Sequence, residues 1–182
     1  MSSTTRSRDK EAARSRYEKQ LAALYEEYYD RIARYASVHI GDRSDAEDIA
    51  GDVFLKALKS LDSYEERGVP MQAWLFRIAH NLVVDYLRKK SRFSTVPVEM
   101  TELPGDSDPE ALAAQSIEME KVRQAMTQLT PDQRQVIGMR FLGGLTSKEV
   151  AAIMKKSDGA VREMQRAAIE RLRGVLAPEG RA

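Results

Sequence analysis

Apolar residues recur at helical spacing along every patterned segment of this 182-residue chain, and no segment alternates convincingly with the period of two that a strand requires. Tyr17, Leu21, Leu24, Tyr25, Tyr28, Ile32 and Tyr35 define a first helix reaching to about Val38. Ser44 and Glu47 have the spacing of a capping box. The helix they open carries a stripe of Ile49, Val53, Phe54, Ala57, Leu58 and Leu61. Pro70 suits the first turn of a third helix, the stretch "QAWLFRIAHNLVVDYLRKK" from Gln72 to Lys90. Thr130, Pro131 and Gln133 form another capping box, and Thr146 with Glu149 a further one. The expected fold class is all-α.

Charge divides the chain more clearly than hydropathy does. "RKKSR" at 88–92 is basic, Val98 to Glu120 holds acids and no Lys or Arg, and the chain is basic again from Thr146 onward. The net charge is only +1. Two basic ends joined by an acidic strap point to two nucleic-acid-facing modules, with charge scattered for solubility as the plainer alternative. The expected organisation is a disordered basic tail (1–16), a first domain (17–92), a flexible acidic linker rich in proline (93–108), a second domain (109–177) and a short tail (178–182). The sequence contains no cysteine, which removes disulfides, thiolate zinc sites and thiol nucleophiles. Nothing approaches the roughly 18-residue apolar run of a membrane helix, and the N-terminus has no hydrophobic signal segment. An intracellular, cytoplasmic chain without membrane insertion is expected.

Two segments carry candidate chemistry. On a wheel of about 100° per residue, Leu75, Ala79, Leu82, Val83 and Tyr86 share one side of the third helix. Trp74, Arg77, Asn81, Val84 and Arg88 share the other. Aromatics stack on unpaired bases, arginines hold phosphates and an asparagine amide reads a base edge. A lone tryptophan is also a common core residue. His80 reads as a surface or locally bonded histidine. The second segment, Thr146 to Leu176, has a short helix, a tight "KKSDG" turn and a longer helix with Val161, Met164, Ala168, Leu172 and Leu176 inward. That is the layout of a helix-turn-helix, winged-helix-like domain. Asp158, Arg162, Glu163, Gln165 and Arg166 would then reach DNA, while Lys155 or Lys156 and Ser157 suit phosphates. A helical hairpin with a solvated basic face is the simpler reading.

The two segments together resemble the extracytoplasmic-function group of the sigma-70 family of bacterial transcription initiation factors. "DAEDIAGDVFLKALKSLDSY" and "QAWLFRIAHNLVVDYLRKKSR" are similar to its region 2, and "LTPDQRQVIGMRFLGGLTSKEVAAIMKKSDGAVREMQRAAIERLR" to its region 4. The resemblance implies that Asp48, Asp52, Val53, Phe54 and Lys56 dock on the β′ clamp helices of core RNA polymerase. It also implies that Asn81 contacts a flipped base of the melted −10 element, that Tyr64 and Trp74 flank that strand, and that Arg77 and Arg88 hold its phosphates. The helix-turn-helix would read the −35 element while Thr130 to Phe141 docks on the β-flap tip. The strap Val96 to Asp108 would thread polymerase, its negative charge mimicking nucleic acid. A separate anti-sigma factor is the expected regulator; no metal, cofactor or catalysis is implied.

The sequence departs from the family at four positions. Lys155 stands where a glycine is usual, Lys156 where a small or apolar residue is, Ala167 where an arginine is common, and Glu163 where a small polar residue is frequent. Two other readings compete: a stand-alone helix-turn-helix regulator, and an enzyme with Asp45, Glu47, Asp48 and Asp52 at a metal. The second lacks a phosphate loop, and His39 and His80 are not at ligand spacing.

Overall fold

The computed structural model describes residues 2–65, 68–93, 117 and 120–176. Among them are seven α-helices and no strand, so the helix-turn-helix carries no wing there. α1 is Ser2–Ile40, α2 Arg43–Lys59 and α3 Met71–Phe93. Residues 120–127 form the described part of α4, followed by α5 Pro131–Ile137, α6 Ser147–Met154 and α7 Asp158–Leu176. A 3-10 turn (Leu61–Ser63) closes α2, and a π-helical turn (Gly138–Leu142) extends α5.

Residues 2–16, expected to be disordered, continue α1 to give 39 helical residues. The segment has neither glycine nor proline to stop it. Arg14 fastens it by pairing with Glu18 at 2.9 Å and with Asp62 at 2.7 Å. α2 is capped by Asp42 rather than Ser44: Asp42 accepts from the Asp45 amide at 2.8 Å. Gly41, at φ +77°, makes the reversal that leaves Asp42 extended and ready to cap. The capping boxes at Thr130/Gln133 and Thr146/Glu149 form as read, both reciprocal bonds present. The linker beyond Phe93 and the expected start of the second domain at position 109 lie outside the described residues.

α1, α2 and α3 pack around Ile32, Tyr35, Ala50, Val53, Ala57, Leu75, Phe76 and Ala79, all shielded from solvent. The π turn follows from the sequence "GMRFLGG". Gly143 donates to the Gly138 carbonyl at 3.1 Å, and Gly144 at φ +68° turns the chain so that Leu145 caps Met139. α6 and α7 then cross over Val150, Ala151 and Val161.

The two modules do not stay apart. Val136, Met139, Leu145, Val150, Ala151 and Val161 of the second share one continuous core with Tyr35, Phe76 and Val83 of the first. A smaller core joins Val38 of α1 to Met126, Leu129, Ile137 and Ala168. The wheel missed this because Leu75 and Phe76, adjacent in sequence, point about 100° apart. Leu75 serves the first module, and Phe76 faces the second.

Candidate nucleic-acid and polymerase surfaces

α3 has a core side and an outer edge, as its periodicity implied. Leu75, Ala79 and Val83 are fully buried, while Leu82 and Tyr86 are half-buried. Tyr86 donates its hydroxyl to Asp45 of α2, and burial together with that carboxylate raises its pKa to about 12. Asp45 therefore anchors α3 to α2. On the outer edge Arg77, Asn81 and Arg88 are exposed. Arg88 pairs loosely with Asp85 at 3.6 Å, whereas Arg77 and Asn81 bond to no described side chain.

The two aromatics assigned to the melted strand occupy different depths. Trp74 is half-buried at the end of this edge. Tyr64 is only 7% exposed, with its hydroxyl donating to the Val69 carbonyl at 3.2 Å. Tyr64 lies against Trp74 in a tilted contact at 4.9 Å and meets Tyr17 edge-to-face at 5.0 Å. Tyr64, expected to flank the melted strand, thus lies beneath Trp74 in this structure. A tyrosine in a short loop gives no periodicity from which its depth could be read.

α2 sorts the expected polymerase-docking residues in the same way. Asp48, Asp52 and Lys56 are exposed, but Val53 is at 0% and Phe54 at 7%, both inside the core. Phe54 meets the edge of Tyr25 at 4.9 Å. Leu58, read as part of the inner stripe, is 43% exposed, and Leu55 is 55% exposed. The outward face of α2 is thus Asp48, Asp52, Leu55 and Lys56, with Leu58 one turn on. Leu55 is one residue from Phe54 and one from Lys56, so a motif alone could not tell which apolar residue faces out.

The helix-turn-helix forms with most of the residues expected to face DNA exposed but already engaged. Lys155 takes the left-handed conformation, φ 55° and ψ 44°, at the end of α6. The turn is therefore built without the glycine that favours it. Lys156 pairs with Asp132 at 2.9 Å. Ser157 accepts from the Ala160 amide at 3.1 Å and caps α7. Arg162 pairs with Asp158 at 2.7 Å. Arg166 lies between Glu163 at 2.6 Å and Glu170 at 2.9 Å, and the guanidinium holds the Glu163 carboxyl below its ordinary pKa.

Gln165 turns inward, accepting Arg140 Nε at 2.8 Å. Arg140 also donates to the Leu145 carbonyl, so this arginine of the π turn ties the recognition helix to the start of α6. Sequence reading missed it. On α7, Val161 and Ala168 are buried as expected, Met164 and Leu172 are half-buried, and Leu176 is 58% exposed. Leu176 instead lines an open apolar groove of about 450 Å³ with Ile137, Phe141, Ile169 and Leu172. Phe141 is 62% exposed there.

The seam between the modules is polar at its centre. Tyr35, fully buried, donates its hydroxyl to Gln135 Oε1, and His80 Nδ1 donates to the same oxygen at 3.2 Å. His39 Nδ1 donates to the Tyr35 carbonyl at 2.8 Å, leaving its Nε2 buried without a partner. Burial is the main reason that the His39 pKa falls to about 4, with the Arg134 charge adding to it; burial lowers His80 as well. Gly138 closes against this group: a Cβ there would lie 2.9 Å from the Tyr35 ring and 3.1 Å from His39.

Comparison with known proteins agrees with this division. Residues 24–93 match the model of sigma-70 region 2, and residues 125–174 that of sigma-70 region 4. The ECF RNA polymerase sigma factor BldN of Streptomyces coelicolor is 33% identical over 161 residues, covering 87% of this chain and 61% of its own length. The chain thus spans less than two thirds of that relative. SigD of Mycobacterium tuberculosis, also an ECF RNA polymerase sigma factor, is 31% identical, covering 82% of this chain and 73% of its own. In fold, the sigma factor RpoE of Bartonella quintana, solved with the anti-sigma factor NepR, superposes with a TM-score of 0.71 at 24% identity, over 89% of this chain and 99% of that one. Among the described residues no helix is long and apolar enough to cross a membrane.

Proposed function

The chain belongs to the extracytoplasmic-function group of the sigma-70 family, and on that premise we propose that it is a non-enzymatic specificity subunit of bacterial RNA polymerase. It binds the core enzyme, reads a −35 and a −10 element and opens the DNA without ATP. The observation that supports this most directly is the outer edge of α3. Arg77 and Asn81 stand exposed and without described side-chain partners beside half-buried Trp74, on a helix whose opposite side packs into the core through Leu75, Ala79 and Val83. A helix that served only packing or solubility has no need of that combination.

In this reading Arg77 and Arg88 hold the phosphates of the displaced strand. Trp74, backed by Tyr64, offers a stacking face, and Asn81 hydrogen-bonds a flipped base. Capture offsets an unstacking cost of a few kcal/mol. Asp48, Asp52 and Lys56, with Leu55 now added, meet the β′ clamp helices. The groove around Phe141 receives the β-flap tip. Arg162, Glu163 and Arg166 face the −35 major groove, Lys155 and Ser157 lie near phosphates, and Gln165 positions the helix through Arg140. The chain works in the cytoplasm, under an anti-sigma factor supplied as a separate protein. The test is run-off transcription with bacterial core polymerase and a library of duplexes randomised at both elements. Selected transcripts sharing two spaced elements are expected. Tight duplex binding by the chain alone, with no transcript when polymerase is added, would establish a stand-alone regulator instead.

A further inference from the structure

We propose that the displaced strand, after passing Asn81 and Trp74, continues onto the N-terminal part of α1, where Tyr17 offers a further ring and Arg16 holds a backbone phosphate. The inference rests on the functional reading above and extends the same site onto another helix. A row of side chains defines it. Trp74 contacts Tyr64 at 4.9 Å, Tyr64 meets Tyr17 edge-to-face at 5.0 Å, and the Arg16 guanidinium lies over the Tyr17 ring at 5.1 Å. Tyr64 is buried beneath. Trp74 and Tyr17, both half-buried, are the rings left at the surface, with Arg16 exposed beside them. Arg77 stands one turn along α3 from Trp74. The row therefore has a cation at each end and aromatic rings between, the combination that holds unpaired bases and their backbone.

The inward stripe of α1 changes character where it passes this row. Leu21, Tyr28, Ile32 and Tyr35 are buried, Tyr17 is only half-covered, and Arg14 and Lys10 then fall on the same side of the helix. Arg14 is engaged by Asp62 at 2.7 Å and Glu18 at 2.9 Å, which fastens the helix to the turn before Tyr64. Arg16 pairs with no described carboxylate and donates only to the Tyr17 hydroxyl, at 3.4 Å. It is presented from a fixed helix and left for a phosphate, with Lys10 exposed further along. The other aromatic cluster of the first module lies among acids. Tyr25, Tyr29 and Phe54 touch one another, but Tyr29 has Glu47, Asp30 and Asp48 about it, and these repel a phosphate chain. The Tyr17–Trp74 cluster instead joins accessible rings to a cation without a carboxylate partner.

The full chain with core polymerase is assayed for binding to a fork of duplex and single strand that carries a promoter from the run-off selection. The displaced strand bears one neutral methylphosphonate linkage at a time. For the wild type, affinity is expected to fall at the phosphates held from α3 and at a further one beyond the nucleotide on Trp74. Arg16→Ala should bind the unmodified fork about fivefold more weakly. The further methylphosphonate should then cost nothing more, whereas those at the α3 phosphates keep their full effect. The slope of log affinity against log salt should become shallower by about 0.7, and Arg16→Lys should restore it. Because Arg16 is exposed, its thermal midpoint and its polymerase affinity without DNA should not move.

Equal methylphosphonate effects in the wild type and in Arg16→Ala at every position overturn the proposal, since an arginine that only covers Tyr17 cannot erase the effect of one particular phosphate. So does a loss of polymerase affinity without DNA, which would assign Arg16 to the polymerase surface. If the wild-type chain adds nothing to the affinity of core polymerase for the fork, the functional reading itself fails and this site fails with it. A chain that promotes fork binding but shows no Arg16-dependent phosphate keeps that reading, and the strand contact then ends at Trp74.

Discussion

The edge of α3 and the outer face of α7 are both candidate DNA surfaces, and they differ in how far their cations are paired: on α3 Arg88 alone is paired, loosely, with Asp85. On α3, Arg77 and Asn81 stand without described side-chain partners. On α7, Arg162 and Arg166 are each tied to carboxylates of their own helix. Exposed pairs contribute little, so a phosphate can replace Glu163 or Glu170 at small cost. The carboxylates remain near the DNA afterwards and repel it. In the proposed reading, α3 is thus poised for the strand it would capture. α7 gains only where a base offers a donor to its acids, as cytosine N4 would to Glu163.

The largest expected effect acts on the seam that ties the two surfaces together. His39 is kept neutral by burial, its pKa about 4, whereas a hydrated histidine titrates near 6.5. As pH falls, the unfolded state takes up the proton first. Stability from neutral His39 is fully present above about 6.5 and is lost as pH drops toward 4. At about 1.4 kcal/mol per tenfold, the loss amounts to a few kcal/mol. Of the groups facing His39, Arg134 on α5 and His80 on α3 repel its proton, while the Tyr35 carbonyl and the Gln135 side chain favour it without offsetting burial. Denaturant midpoints across that window should fall in the wild type and fall less in His39→Phe. A flat profile would mean that the ring is already hydrated.

Next in size is Asn81→Ala. Losing a base-edge contact is expected to cost about 1–3 kcal/mol, a roughly five- to 150-fold slower formation of open complexes, with discrimination relaxed at one −10 position. Because Asn81 is exposed, the thermal midpoint and polymerase affinity should not move. Reduced polymerase binding would mean that this edge belongs to the polymerase surface, and the contrast with α7 would collapse.

That contrast was half legible in the sequence. The two faces of α3 follow from period alone, and the capping boxes at Thr130 and Thr146 follow from local chemistry, so both appear where they were read. What escaped depends on contacts distant in sequence. Val53 and Phe54, which the periodicity put inside and the docking motif outside, lie inward with Tyr25 of α1 against Phe54, whereas Leu58 of the same stripe is exposed. Tyr64 sits beneath Trp74, since Tyr17 closes over it from 47 positions earlier. His80 looked like a bystander because its partner, Gln135, is 55 residues away. Arg140 shows no pattern at all until the π turn brings it to Gln165.

A smaller change tests the self-paired state of α7 directly. Glu163→Gln releases one partner of Arg166 and removes an acid from the DNA-facing side. Affinity for non-specific duplex should rise at low salt, with the slope of log affinity against log salt steeper by about one. An unchanged slope would mean that Arg166 remains with Glu170 and never reaches a phosphate.

The smallest expected effect separates fold from function at the turn itself. Lys155 occupies a left-handed conformation that costs an L-residue with a Cβ roughly 1–2 kcal/mol. Glycine escapes that cost but gives back part of it, because it leaves the unfolded chain freer. Lys155→Gly should therefore raise stability by only about 0.5–1 kcal/mol, read as a higher denaturant midpoint at unchanged slope. If Lys155 also holds a phosphate, the same variant should weaken DNA binding uniformly across sequences and reduce the salt slope by about one. Stability and binding would then move in opposite directions, and the lysine's strain would be explained by its contact. A variant that is more stable and binds equally well would leave the lysine with no role at the DNA. The −35 surface would then reduce to the first turns of α7, where the cations are already paired.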